Sequence, residues 1–111
     1  MTRPPVVCLC GSTRFKDEFE AANKRLTLEG KIVLSVGFFT HAEANGGAGD
    51  KEVVYGEELA ARMDALHKAK IDMADSILVL NRGGYVGDST ASEVAYALAT
   101  GKRVEWLEPT A

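Results

Sequence analysis

Apolar residues occur along the chain in two patterns, short continuous runs and positions at helical spacing. The runs are typical of strands covered on both faces, and they predict strands at residues 6–10, 31–36, 77–80 and 103–107. Helical spacing between them begins with Phe15, Phe19, Ala22 and Leu26. Further helices are predicted at about residues 52–74 and after residues 88–90, where Asp, Ser and Thr are good N-cap residues.

The predicted element order is β-α-β-loop-α-β-α-β. Such alternation indicates an α/β fold of the three-layer flavodoxin or Rossmann-like type, an open parallel sheet of four or five strands with helices on both faces. We expect the strand order 2-1-3-4. This order places the turns after the first and third strands in one crevice, where ligands bind in open α/β sheets. The 111 residues are predicted to form a single domain.

The second helix contains two neighbouring apolar stripes. One consists of Leu59, Met63, Leu66, Lys70 and Met73, with the lysine as its one polar break, and the other of Ala60, Met63, His67 and Ile71. The spacing places His67 at the edge of the buried face. A histidine there is either a structural residue or a catalytic one.

Composition narrows the range of partners. A net charge of −3 and a pI near 5.4 argue against a nucleic-acid polymer or an anionic membrane surface as the partner. The chain contains no apolar run long enough for a signal peptide or a membrane span, so we expect a cytoplasmic protein. Cys8 and Cys10 share one face of the first strand, as two small buried residues or as a metal or redox pair. No second Cys/His group has zinc spacing, and we expect neither a metal nor a cofactor.

Residues 37–50 break the periodicity with four glycines, a histidine and two phenylalanines. A loop of this length in a compact domain usually either binds a ligand or is disordered. Phe38 and Phe39 could stack on a base, lie at a subunit contact or cap the core.

Glu93 follows a glycine-rich turn and lies one turn into the last predicted helix. Gly83, Gly84 and Gly87 let the backbone turn tightly, and a helix N-terminus at the end of a buried strand can bind a phosphate. A carboxylate just beyond such a site is a candidate for chemistry on a nucleotide. The same spacing, Thr90-x-x-Glu93, fits a capping box in which the glutamate only satisfies a backbone N–H.

Two separated motifs resemble one known family. CGSTR at residues 10–14, and the helix motif G-D-S-T-x-x-E-x-x-Y-A-x-x-x-G-K at residues 87–102, are similar to motifs of nucleoside 2-deoxyribosyltransferase-like proteins. That superfamily includes the nucleoside 5′-monophosphate N-glycosidases. The resemblance extends from residue 6 to about residue 108, and it implies one domain of this type over residues 1–111.

The resemblance implies a role for several residues. Glu93 occupies the place of the family's nucleophile. The resemblance implies that Gly11, Ser12 and Arg14 in the first turn bind the 5′-phosphate. It also implies that the substrate is contacted at the start of the last helix by Gly87, Asp88, Ser89 and Thr90. His41 stands at a comparable place to a histidine of the family's middle loop.

The chain departs from the family at two positions. Cys8 stands where the family commonly has a tyrosine, and His67 where it has an aspartate that assists the leaving base, with Asp64 one turn earlier. A histidine can donate a proton to a leaving base, so His67 is the second catalytic candidate. The turn before Glu93 is also about two residues longer than in the glycosidases.

The expected function is therefore cleavage or transfer at the N-glycosidic bond of a nucleoside or its 5′-monophosphate. The expected enzyme is an N-glycosidase or a nucleoside 2-deoxyribosyltransferase, and the resemblance implies a homodimer or higher homo-oligomer. A non-catalytic nucleotide-binding module of the same fold is the main alternative, favoured by the two departures. A flavin-binding domain fits less well, because its phosphate loop after the first strand would be longer and richer in Ser and Thr than GSTRF.

Overall fold

A computed structural model describes residues 3–36 and 56–110 of the chain. The strands are β1 (Val6–Cys10), β2 (Ile32–Leu34), β3 (Ser76–Val79) and β4 (Arg103–Trp106). The helices are α1 (Lys16–Leu28), α2 (Glu57–Met73) and α3 (Asp88–Ala99). Short 3-10 turns, Thr13–Phe15 and Arg82–Gly84, follow β1 and β3.

The four strands form one parallel sheet in the order β2-β1-β3-β4, which confirms the expected fold class and strand order. Cys8 of β1 pairs with Leu34 of β2 on one side and Ile77 of β3 on the other. β1 and β3 are therefore the central strands, and every one of their residues is buried. The outer strands contain exposed residues, as strands at the edges of a sheet usually do.

The two faces of the sheet have different cores. Because side chains alternate along a strand, β1 sends Val7 and Leu9 to one face and Val6, Cys8 and Cys10 to the other. The first face packs against α1 through its residues Phe19, Ala22 and Leu26. We call it the α1 face. The second face packs against residues of α2 and α3, including Ile71 and Ala97, and we call it the α2/α3 face.

The buried stripe of α2 is the one that contains His67. Ala60, His67 and Ile71 are buried, while Leu59, Leu66 and Met73 of the neighbouring stripe are exposed. His67 is therefore well inside the buried face, with 5% of its surface exposed, and not at its edge. The sequence could not decide between two stripes of similar hydropathy.

An ionic network ties the amino edge of the sheet together. Asp75, just before β3, accepts hydrogen bonds from the Arg3 guanidinium at 2.8 and 3.0 Å and from the Val6 backbone N–H at 2.8 Å. The hydrogen bond with Arg3, followed by that with Val6, lowers the pKa of Asp75 to about 2. Within the described residues, none of the helices is both long enough and apolar enough to cross a bilayer.

Candidate functional site

The turns after β1 and β3 approach each other closely at the carboxyl edge of the sheet. A Cβ on Gly11 would lie 3.2 Å from the Leu80 Cβ and 3.3 Å from the Leu80 carbonyl oxygen. The Leu80 backbone N–H donates to the Cys10 carbonyl at 2.8 Å, which fixes this approach. Glycine at position 11 therefore has a packing reason, independent of any ligand.

Arg14 joins the two turns. Its guanidinium lies over the ring of Tyr85, 4.1 Å from the ring centroid, and its Nη2 donates to the Tyr85 hydroxyl at 3.4 Å. Ser12 stabilises the turn after β1, because its Oγ accepts a hydrogen bond from the Arg14 backbone N–H at 3.3 Å. Phe15 meets the same tyrosine ring edge-on, with the ring centroids 6.0 Å apart. The predicted crevice thus has two walls in contact through Tyr85.

The last helix begins earlier than the capping-box interpretation requires. Gly87 is the N-cap residue of α3, and Asp88 is its first residue. Thr90 is consequently inside the first turn and buried, so it cannot be the N-cap residue of a Thr90–Glu93 capping box. Because the N-cap residue is glycine, it offers no side-chain cap hydrogen bond to the helix. Glu93 lies in the second turn, on the face that packs against the sheet.

Glu93 meets His67 between the two helices of the α2/α3 face. Its Oε1 is 3.8 Å from His67 Nε2, and the two side chains are only 10% and 6% exposed, respectively. The structure therefore brings the two predicted catalytic residues together, although they are far apart in the sequence. A carboxylate and an imidazole this deeply buried interact more strongly than a pair at the surface.

Two thiols complete this cluster. The Sγ atoms of Cys10 and Cys8 lie 3.5 and 3.8 Å from His67 Nε2, and both cysteines are fully buried and free of disulfides. The other imidazole nitrogen, Nδ1, is buried and has no hydrogen-bond partner among the described residues. All four side chains belong to the α2/α3 face.

The cluster shifts the acid–base behaviour of its members. Burial lowers the pKa of His67, but the Cys8 sulfur and the Glu93 charge raise it, and the net pKa is raised. Hydrogen bonding with Cys10 lowers the pKa of the Cys8 thiol below its usual range, while the same contact raises that of Cys10. One thiol thus ionises first, beside a histidine that favours its protonated form.

The remaining predicted site residues fall into three groups. Asp88 and Ser89 are exposed at the start of α3, on the same edge of the sheet as Gly11, Ser12 and Arg14. Asp64 is half-buried on α2. His41, Phe38 and Phe39 lie outside the described residues.

Sequence reasoning missed two features of this edge. Tyr85 was not identified as a link between the turns, although an aromatic residue among glycines was a usable signal. The cysteines were not connected with His67, because they are 59 and 57 residues away from it and only the rotation of α2 decides which of its stripes faces β1.

The chain matches no protein-family model, and neither a curated protein nor a solved structure matches it.

Proposed function

We propose that the protein cleaves the N-glycosidic bond of a nucleoside or nucleoside 5′-monophosphate, with Glu93 as the nucleophile. The observation that carries this proposal is the buried carboxylate of Glu93, held next to His67 near the carboxyl edge of a parallel sheet. Nucleotides bind at this edge in open α/β folds, near the point where the strand order reverses. Here that point lies between β1 and β3, which carry the two turns.

The chemistry assigned to Glu93 is displacement at the anomeric carbon. Its carboxylate oxygen bonds to C1′, and the C1′–N bond breaks with its electron pair moving to the base nitrogen. The base takes a proton from water, and the hydroxide that remains hydrolyses the sugar ester and restores the carboxylate. One water molecule is consumed overall. In a transferase, a second base would attack C1′ in place of hydroxide.

His67 is proposed as a positioning residue for Glu93 rather than as the acid that protonates the base. In retaining glycosidases the nucleophile and the acid are about 5–5.5 Å apart, which leaves room for the sugar between them. The 3.8 Å between Nε2 and Oε1 is shorter than this. At this distance the imidazole, when protonated, attracts the Glu93 carboxylate and orients it.

Arg14 and the start of α3 are proposed to hold the 5′-phosphate. The exposed guanidinium is already oriented by Tyr85, and the α3 N-terminus offers backbone N–H groups and the positive end of a helix dipole. Phosphate binding there, away from the bond that breaks, would position C1′ over Glu93. Removing Arg14 should therefore weaken binding of monophosphates more than binding of nucleosides.

Incubation with a panel of nucleosides and their 5′-monophosphates, with chromatography for free base, tests the proposal. Glu93→Gln should reduce base release at least ~1,000-fold, as removal of a nucleophile does in other enzymes. Glu20→Gln, an exposed glutamate on α1, is the matched control and should keep wild-type activity. Arg14→Ala should raise KM for a monophosphate substrate with little change in KM for its nucleoside.

A nucleotide-binding module without catalysis is the second candidate. The deep burial of Glu93, 7% exposed, favours it, because a nucleophile must reach C1′. Such a module would bind the monophosphate in calorimetry, release no base from any substrate, and bind equally well after Glu93→Gln.

A homodimer or higher homo-oligomer is part of the proposal. Leu59, Leu66 and Met73 form an exposed apolar stripe on α2, which supports self-association. Sedimentation velocity tests this directly: Leu66→Glu should shift the protein towards monomer, whereas a wild-type monomer would contradict it.

A further inference from the structure

Three side chains that can bind a metal ion lie close together inside the α2/α3 face: those of Cys8, Cys10 and His67. The two Sγ atoms and the imidazole nitrogen all lie within 4.8 Å of one another. Both cysteines are fully buried and His67 is 5% exposed, so bulk water does not solvate this group. Two neighbouring elements, β1 and α2, supply the ligands.

The spacing of these atoms fits a tetrahedral zinc site. With Zn–S near 2.3 Å and Zn–N near 2.0–2.1 Å, the sulfur and nitrogen ligands of one tetrahedral ion are about 3.6 Å apart. The observed Sγ–Nε2 distances are 3.5 Å for Cys10 and 3.8 Å for Cys8. Both sulfur–nitrogen distances therefore already match those of a tetrahedral ion.

The donor chemistry also selects one class of ion. Thiolate and imidazole ligands suit zinc and other thiophilic ions and exclude hard ions such as Mg²⁺, which prefer oxygen. Two thiolates and one Zn²⁺ add up to no net charge, which reduces the cost of burying each of them. Without an ion, the contacts of His67 Nε2 with the two sulfur atoms, at 3.5 and 3.8 Å, are weak hydrogen bonds.

We propose that Cys8, Cys10 and His67 bind one zinc ion, with a water molecule at the fourth coordination position. On binding, the ion displaces the thiol protons into solvent, and no redox step is involved. This inference does not rest on the proposed glycosidic chemistry, since the two thiolates take no part in that reaction. The two proposals share His67, and an ion on its Nε2 would take the place of the proton that faces Glu93.

Zinc and cobalt binding to the full chain tests the proposal. Protein unfolded with a chelator and refolded under a non-thiol reductant should take up one equivalent of Zn²⁺, and its Tm should rise with zinc but not with Mg²⁺. Co²⁺, used as a spectroscopic probe, should give thiolate-to-metal charge transfer and the intense visible bands of a tetrahedral site. Wild-type protein that binds neither ion under these conditions would overturn the proposal without any variant.

Variants then identify the ligands. Cys8→Ala, Cys10→Ala and His67→Gln should each weaken zinc binding by at least ~100-fold, because even groups that only orient a ligand contribute roughly 10- to 100-fold. Circular dichroism on each variant verifies that it is folded. If a variant does not fold, proton release on zinc binding by the wild type replaces it: release of protons supports thiolate ligation, and no release contradicts it.

Two further variants separate this site from others. His41→Gln changes the only other histidine of the chain and should leave zinc affinity unchanged; an equal loss in His41→Gln and His67→Gln would refute the ligand assignment. Glu93→Gln should retain the cobalt charge-transfer band while losing base release. Failure of the glycosidic proposal would leave this band in place, whereas failure of the zinc proposal would leave base release in place.

Discussion

The two faces of the sheet use the same central strand for different purposes. On the α1 face, β1 contributes Val7 and Leu9 to a core of aliphatic and aromatic side chains. On the α2/α3 face, the alternate positions of the same strand are Cys8 and Cys10, and they adjoin an imidazole and a carboxylate. Neighbouring residues of one strand therefore face an apolar core on one side of the sheet and a cluster of ionisable groups on the other.

This difference indicates how stability and chemistry are divided in a small domain. Burying a polar group costs free energy unless it is well partnered, so a face with four ionisable side chains stabilises the fold less than an apolar one. The α1 face is expected to supply more of the stability. The α2/α3 face can then hold groups whose pKa values are shifted, which is typical of functional sites.

The largest effect on stability should come from truncating the centre of the α1 face. Phe19 is 2% exposed, and Phe19→Ala should lower the free energy of unfolding by about 3–5 kcal/mol, because a large cavity is left in a close-packed core. Leu28→Ala, at a position 78% exposed on the same helix, should change it by less than about 0.5 kcal/mol. Urea denaturation measures both. Similar values for the two variants would contradict the assignment of stability to this face.

A smaller effect is expected where the two turns meet. Gly11→Ala should destabilise the protein by about 1–3 kcal/mol, because the added Cβ would press on Leu80, including its backbone oxygen. Ser12→Ala removes one hydrogen bond to the Arg14 N–H and should cost about 0.5–1.5 kcal/mol. Thermal unfolding compares the two. If Gly11→Ala is as stable as the wild type, the close approach does not constrain this position.

The smallest effect should be a pH dependence at the amino edge, far from the site. The pKa of Asp75 is about 2 in the folded protein and ~3.9 in an unfolded chain. Because the folded value is lowered, this carboxylate contributes stability that is fully present above about pH 4 and is lost as the pH falls towards 2. The pair with Arg3 is exposed and the contribution is correspondingly small.

Asp75→Asn tests this assignment, because it removes the ionisation but keeps the size of the side chain. Unfolding curves recorded between pH 5 and pH 2 should fall less steeply with pH in Asp75→Asn than in the wild type. Identical slopes would show that other carboxyl groups govern acid unfolding.

The fold was predictable because the patterns that indicate it are found within single elements or in the order of the elements along the chain. Continuous apolar runs gave β1 and β3, and the alternation of strands with helices led to the parallel sheet with order 2-1-3-4. Boundaries were less accurate: β2 is shorter than the apolar run at residues 31–36, and Leu80 is buried without belonging to β3. Both reflect where the hydrogen-bonded ladder ends, which hydropathy does not encode.

The site was only partly predictable. Glu93 and His67 could be selected as candidates, but their contact depends on how α2 is rotated against the sheet. The stripe with the larger side chains, Leu59 and Leu66, faces outwards, while Ala60 and His67 face inwards. Small residues such as Ala60 let a helix lie close to the sheet. They add little to the apolar pattern of a helix, so hydropathy alone does not identify them as buried. The cysteine–histidine contact depends on the same rotation.

The most direct test of the central claim is to trap the sugar on the protein. A 2′-fluoro analogue of the best nucleoside or monophosphate substrate, which destabilises the positive charge that develops at C1′, should slow hydrolysis of the ester. Mass spectrometry of the intact chain should then show one added sugar, and digestion should place it on the peptide that contains Glu93. An adduct on another residue, or base release from the true substrate at the wild-type rate by Glu93→Gln, would contradict the account.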